Sequence, residues 1–179
     1  MNVMLDLETW GIRPGAALRS IGACTFDPYG TGTGEEFYMN ITTESCLKLG
    51  LHVDPNTEKW WNKPENAKAQ QSLARDQQPI DLVADAFSHW FKKSRGLWVW
   101  GQGSNFDPVL WESVLYMLSR PAPWRFFDTR DTRTAYEMAR LDTRTIKRKG
   151  TYHNALDDAK HQALCVQTAF GRVRVGGQT

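Results

Sequence analysis

The order of elements written in this sequence predicts an α/β layered domain built on a mixed sheet, an antiparallel meander joined to parallel strands. Three observations carry that expectation. Three short apolar runs separated by turn residues open the chain, as a meander requires. A later apolar run between glycines leads directly into a helical pattern, the mark of a parallel βα unit. A further helical stretch closes the chain, so helices are available for both faces of the sheet.

Asn2–Leu7 is apolar and ends in acidic residues, Leu18–Phe26 is a second apolar run, and Phe37–Ile41 alternates before turn-prone residues; these read as three strands. Asp27-Pro28-Tyr29-Gly30, with Gly32 and Gly34, supplies the turn between the second and third. From Glu44 to Arg95 the pattern is helical, with an N-cap expected at Asn56 and breaks at Pro64 and Pro79. Within it Leu82, Val83, Ala86, Phe87, Trp90 and Phe91 recur at three and four, an amphipathic helix. Leu97–Gln102 reads as a strand buried on both faces and leads into a helix over Pro108–Leu118. Arg125–Phe127 is expected to be a last short strand, Asp131–Arg140 a helix and Ala155–Phe170 the closing helix. Residues 1–172 are expected to form a single domain and 173–179 a frayed tail.

A chain of 179 residues with 41% apolar content, eight Trp and eight Phe can fill one sizeable core. No run approaches the roughly 20 apolar residues of a membrane span, and no basic segment precedes Val3-Met4-Leu5 as in a secretory signal. A soluble, cytoplasmic protein is expected, with no membrane partner. Cys24, Cys46 and Cys165 are odd in number and far apart, without zinc or disulfide spacing, and read as buried free thiols. The net charge of +2 does not announce a nucleic-acid binder, but between Arg120 and Lys149 nine basic residues face four acidic ones. Such a segment could hold phosphates, and could equally be an ordinary solvated surface.

Asp6 and Glu8 lie two apart at the end of the first strand, so their carboxylates share a face about 7 Å apart and can share an ion. Asp107 follows Ser104-Asn105-Phe106 at a helix start just after the fourth strand, where it could also serve as an N-cap. Three carboxylates converging without basic neighbours need a cation. Tyr152-His153-Asn154-Ala155-Leu156-Asp157-Asp158 places His153 in the loop before the last helix and Asp158 inside it. Each segment alone has a structural explanation: a solvated strand end, a cap, or acidic residues at a helix start.

In order and context, Asp6-Leu7-Glu8-Thr9, Ser104-Asn105-Phe106-Asp107 and His153-Asn154-Ala155-Leu156-Asp157-Asp158 resemble the three motifs of the DEDDh exonucleases of the ribonuclease-H-like superfamily. The resemblance runs from Asp6 to about Phe170 and assigns Asp158, not Asp157, to the third motif. Thr57-Glu58-Lys59-Trp60-Trp61, followed by Gln70-Gln71, and Asp128-Thr129-Arg130-Asp131-Thr132-Arg133-Thr134 further resemble a phage and bacterial branch that includes the DexA-type exonuclease, although Asn62-Lys63-Pro64 intervenes after the tryptophan pair.

The resemblance implies a ribonuclease-H-like sheet with helices on both faces and a 3′-to-5′ exonuclease acting on RNA or DNA 3′ ends in a bacterial or phage-infected cell. It implies two Mg²⁺ or Mn²⁺ ions on Asp6, Glu8, Asp107 and Asp158, with His153 as general base. Thr9, Trp60, Trp61, Asn105 and Phe106 are the residues expected to meet substrate, the aromatic ones by stacking. A catalytically silent nucleic-acid module, an endonuclease or phosphatase on the same fold, and a structural protein are the alternatives. RNA or DNA preference and oligomeric state, monomer or homodimer, stay open at this point.

Overall fold

The structure is a computed structural model describing residues 1–176. Five strands, β1 (Asn2–Thr9), β2 (Leu18–Phe26), β3 (Glu36–Asn40), β4 (Trp98–Gly101) and β5 (Thr129–Asp131), form one sheet in the order β3-β2-β1-β4-β5. β1 is antiparallel to β2 and β2 to β3, whereas β1 to β4 and β4 to β5 are parallel. The expected mixed sheet is therefore present, with β1 at its centre. The helices are α1 (Thr43–Lys48), α2 (Pro55–Trp61), α3 (Ala67–Leu73), α4 (Ile80–Lys93), α5 (Asp107–Met117), α6 (Thr132–Met138) and α7 (Ala155–Gly176).

The alternation of β1 decides which side chains meet which layer. Val3, Leu5 and Leu7 join Val83, Phe87, Phe91, Leu110 and Trp111 in the larger core, the α4 and α5 face. Met4 points the other way, into the cluster with Trp100, Ala159, Ala163 and Val166 of the α7 face. By the two-residue period of a strand, Asp6 and Glu8 share the face of Met4. That is the side on which α7 lies. Ala155, Ala159 and Ala163 recur every fourth residue and are fully buried, which lets α7 approach the sheet closely.

Gly22, the partner of Asp6 across the β1–β2 ladder, sits directly beneath the start of α7. A Cβ there would overlap the backbone of Ala155 and Leu156. A side chain at this position would lift the helix off the sheet.

Several boundaries differ from those expected. The last strand is Thr129–Asp131, not Arg125–Phe127, because Arg125 closes a turn instead. The Asp128 amide donates to the Arg125 carbonyl at 2.8 Å, and the Arg125 guanidinium pairs with the Asp128 carboxylate at 2.6 Å. The cap of α2 is Asp54, not Asn56: its Oδ1 accepts from the amides of Asn56 and Thr57, while Pro55 at the first position has no N–H to satisfy. Asp107 is the first residue of α5, not its cap, which is Phe106. Asp131 caps α6, accepting from Arg133 and Thr134. α7 continues past Phe170 and through Val173 to Gly176, into the segment expected to fray, whose residues 177–179 lie outside the described ones.

The three cysteines are free and buried. Among the described residues no helix is long and apolar enough to cross a membrane. In the basic segment, Arg120, Arg125, Arg144 and Arg148 pair with Asp85, Asp128, Asp142 and Asp158.

Gly22→Ala should cost about 1–3 kcal/mol as an overpacked contact against rigid backbone, and about 2–4 °C in Tm per kcal/mol at this chain length. Calorimetric unfolding checks it. A melting point unchanged from wild type would mean that α7 does not depend on the bare backbone at Gly22.

Candidate active site

Four carboxylates converge where β1 ends. Asp6 and Glu8 come from β1, Asp107 from the first turn of α5 and Asp158 from the first turn of α7. Asp107 is 2% exposed, and both of its oxygens are held by backbone. The Leu7 amide donates to Oδ1 at 3.1 Å and the Gln102 amide to Oδ2 at 3.0 Å, which ties α5 to β1 and to the end of β4. Asp6 Oδ1 accepts from the Gln162 side-chain amide at 2.6 Å, one helical turn beyond Asp158 on α7. Donor atoms of Glu8, His153 and Asp158 lie within 4.8 Å of one another.

Burial is the main influence on these groups. It raises the Asp6 and Glu8 carboxyls well above their ordinary values, reinforced by the neighbouring carboxylates. Asp107 is pushed up to about 6 by burial, against the backbone amides that favour its anion. His153 is held below the ordinary histidine value by burial, with Asp158 pulling it up and Arg148 pushing it down. Asp158 itself pairs with the Arg148 guanidinium.

A hard divalent cation suits this arrangement. The donors are buried or half-buried carboxylate oxygens crowded together, and the Gln162 Oε1 beside them is itself buried without a hydrogen-bond partner. Carboxylates that repel one another in a water-poor cavity are stabilised as anions by a bound cation.

The cavity around them measures about 350 Å³ and is lined by Asp6, Glu8, Arg148, His153, Asp158 and His161, among others. A second cavity of about 630 Å³ shares Leu7 and Glu8 with it and continues along Thr9, Trp60 and Phe106. The two adjoin at Glu8. A third, about 590 Å³, lies against Trp100, Met138 and Phe170 and touches none of the four carboxylates.

His153 lies in the loop before α7 and has φ of 60°, the left-handed region that a non-glycine residue occupies only under constraint. Its ring is packed edge-on against Trp60 at 4.9 Å and Trp61 at 5.8 Å. The two tryptophans differ sharply in exposure. Trp60 is 37% exposed and borders the larger cavity, whereas Trp61 is 1% exposed. The Trp61 indole donates to the Thr9 carbonyl at 2.8 Å, and the Arg19 guanidinium sits 4.3 Å from its ring centre. Trp61 also lines the larger cavity, but as nearly fully buried wall, and Trp60 is the more accessible face.

The remaining expected residues fall in different places. Phe106 is half-buried and faces the larger cavity. Thr9 is buried there, with its hydroxyl already donating to the Gly11 carbonyl at 2.6 Å. Asn105 is exposed and lines neither cavity. Gln162, Arg148, His161 and Arg19 were not anticipated. Arg19 lies between Trp10 and Trp61, its Nη2 donates to Gln70 Oε1 at 3.0 Å, and burial lowers its pKa to about 10 while Glu8 pulls it up. The spacing of Asp158 and Gln162, four residues apart on one helix, was the one available signal for Gln162.

The mixed sheet, with carboxylates delivered from three elements and a histidine from the loop before α7, has the ribonuclease-H-like architecture. Among solved structures, the chain is similar to the nuclease domain of 3′hExo, a DEDDh family member, bound to rAMP, with TM-score 0.62 and 10% identity over 93% of this chain and 90% of that one. It is similar to the zinc-bound E. coli ExoI–ssDNA complex, with TM-score 0.63 and 15% identity, over 97% of this chain and 40% of that one. These likenesses concern the fold. A curated relative, the probable cytoplasmic methionine–tRNA ligase of Schizosaccharomyces pombe, is 25% identical over 187 residues, covering 83% of this chain. The chain spans about a quarter of that relative's length, 24%. Residues 1–170 match the 3′-5′ exoribonuclease Rv2179c-like domain, and the chain belongs to that family.

Carboxyls raised on folding bind more protons in the folded than in the unfolded chain, so the stability they contribute is full below the unfolded value and is lost as pH rises through the folded one. For Asp107 that window runs from 3.8 to about 6, and Asp6 and Glu8, also raised, act in the same direction. The surface carboxylates held low by partners, such as Asp54 and Asp142, act below that window. Melting in EDTA from about pH 4 to about pH 7 should show this loss, and Mn²⁺ should diminish it. A melting point that rises steadily over this range in EDTA would contradict the burial of ionisable carboxyls.

Proposed function

We propose that this chain is a metal-dependent 3′-to-5′ exonuclease that removes nucleoside 5′-monophosphates from single-stranded nucleic acid or 3′ ends, with residues 1–172 working as one catalytic domain. The observation that carries it is the meeting of Glu8, His153 and Asp158 within 4.8 Å beside the buried Asp107 and the half-buried Asp6. The family's description as exoribonuclease supports RNA as the substrate.

Asp6, Glu8, Asp107 and Asp158 would hold the cations, two Mg²⁺ or Mn²⁺. Bound there, such ions supply Lewis-acid activation of water and neutralise charge on the phosphate and the leaving oxygen. His153 accepts the proton of the attacking water. Its lowered pKa keeps the ring neutral, and thus able to accept, to a lower pH than an ordinary histidine. Water adds to phosphorus as the bond to the 3′ oxygen breaks, leaving a 5′-monophosphate and a strand shortened by one nucleotide with a new 3′ hydroxyl. Trp60 and Phe106, bordering the adjoining cavity, are placed to support the terminal base.

Within the class, we place the chain near the DexA-type branch. What supports this is the resemblance of Thr57–Trp61 and of Asp128–Thr134 to that branch; the second run forms β5 and the start of α6, where Asp131 accepts from the Gly103 amide at 3.0 Å.

The direct test is incubation with Mn²⁺ and 5′-labelled RNA and DNA oligomers of one sequence. Progressive shortening from the 3′ end is expected, faster on RNA, and absent with EDTA; internal cuts would favour an endonuclease. His153→Ala should lower kcat by about 10²–10⁴-fold with Mn²⁺ affinity little changed, and full activity from pH 6 to 8 would exclude it as the base. Asp6→Asn should lower turnover at least about 100-fold and weaken Mn²⁺ binding by calorimetric titration. Trp60→Ala should raise KM more than it lowers Tm; the opposite pattern would make the indole purely structural.

A further inference from the structure

Among the residues lining the carboxylate cavity, Arg148 is the lone arginine or lysine. Its side chain is 14% exposed. The guanidinium lies 4.2 Å from the centre of the Tyr152 ring, and its Nη2 donates to the Thr151 carbonyl at 3.1 Å and to Asp158 Oδ1. Its Nε is buried without a partner. Part of its donor fork is therefore unused.

The loop that delivers it is built rather than slack. Gly150 has φ of +86°, and a Cβ there would run into the Asp157 carboxylate. Asp157 Oδ2 accepts from the Thr151 amide at 2.7 Å. Asp157 thus clamps the loop carrying Arg148 to the helix carrying Asp158.

The charge of the cavity sets what such an arginine can do. Asp6, Glu8 and Asp158 line the cavity with Arg148 as the guanidinium among them, while Arg19 acts on Glu8 and Arg133 on Asp107 from outside the lining. Four carboxylates against three guanidiniums leave the site net negative, and the pairing with Asp158 is the natural resting place of Arg148. Two divalent cations neutralise the four carboxylates, after which Arg148 is a surplus positive charge. A phosphodiester arriving with one negative charge matches it. A planar fork with an unused Nε–H suits two phosphate oxygens.

We propose that Arg148 is an exchangeable counter-ion: it pairs with Asp158 in the metal-free protein and, with the metals bound, turns its guanidinium to the phosphate of the substrate. This rests on the exonuclease reading above. It gives Arg148 two opposed effects, weakening cation binding and strengthening substrate binding. It makes Asp157 a positioning residue for Arg148.

The test compares wild type, R148K, R148A and D157A in three measurements: Mn²⁺ titration by calorimetry, melting in EDTA and in Mn²⁺, and KM for a 5′-labelled RNA oligomer at several salt concentrations. R148A should bind Mn²⁺ about tenfold more tightly, since a nearby positive charge is gone. Its Tm should fall in EDTA and return close to wild type with Mn²⁺. Its KM should rise, and the slope of log KM against log salt should drop by about 0.7, one phosphate contact on a single strand. R148K should restore part of the salt slope, and D157A, which keeps the arginine but frees its loop, should raise KM without tightening Mn²⁺ as much.

R148A with wild-type Mn²⁺ affinity and salt slope would overturn the inference, as would an equal loss of Tm in EDTA and Mn²⁺, the mark of a purely structural arginine. If wild type itself failed to bind Mn²⁺, or to shorten either RNA or DNA, the exonuclease reading would fall and the inference with it. The wild-type arm separates the two failures.

Discussion

The structure turns on the burial of like charges at the end of its central strand. An unpaired ion taken from water costs several kcal/mol even after relaxation, and Asp6, Glu8, Asp107 and Asp158 meet in one place. Every neighbouring element contributes something against that cost. β1 and the segment after β4 offer the Leu7 and Gln102 amides, α7 offers Gln162, and the loop before α7 offers Arg148. These measures are incomplete, which is why the carboxyls stay raised and the site favours cations.

The helical excursion between β3 and β4 supplies the wall that the sheet lacks. α2 ends in Trp60 and Trp61, which pack edge-on against the His153 ring and hold that residue in a backbone conformation it would not choose alone. Behind Trp61, Arg19 reaches Gln70 of α3, whose own amide donates to the Trp61 carbonyl at 3.0 Å. Arg19 also lies near enough to Glu8 for each to shift the other's titration. A single guanidinium on β2 thus links the excursion to the first motif, and the orientation of the His153 ring follows from the packing of the wall.

The motifs were legible in the sequence because each is a short run of chemistry-bearing residues beside a strand or helix whose period could be read. The α7-side placement of Asp6 and Glu8 follows from β1 alternation alone. What was not legible depends on contacts between segments distant in the chain. Arg125 reads as part of a strand until Asp128 folds back on it, and Asn56 reads as a cap until Asp54, two residues earlier, takes the amides. The tryptophan pair could be said to diverge on a helix, but which indole faces inward depended on the Thr9 carbonyl, 52 residues away along the chain. Arg148 was one of nine basic residues in a surface-like segment, and nothing local marked it as the one directed into the cavity.

Asp157 and Asp158 are adjacent in sequence yet belong to different interactions, because successive helical residues diverge by about 100°. Asp158 faces the cavity with Glu8 and His153, while Asp157 faces the loop and takes the Thr151 amide. The first turn of α7 therefore carries a carboxylate of the site and the clamp of the basic loop on one rigid piece. That turn is seated by the bare backbone of Gly22. Any displacement of the helix start would move the Asp158 oxygens and the Arg148 loop together, so the geometry of both is set at the contact between α7 and β2.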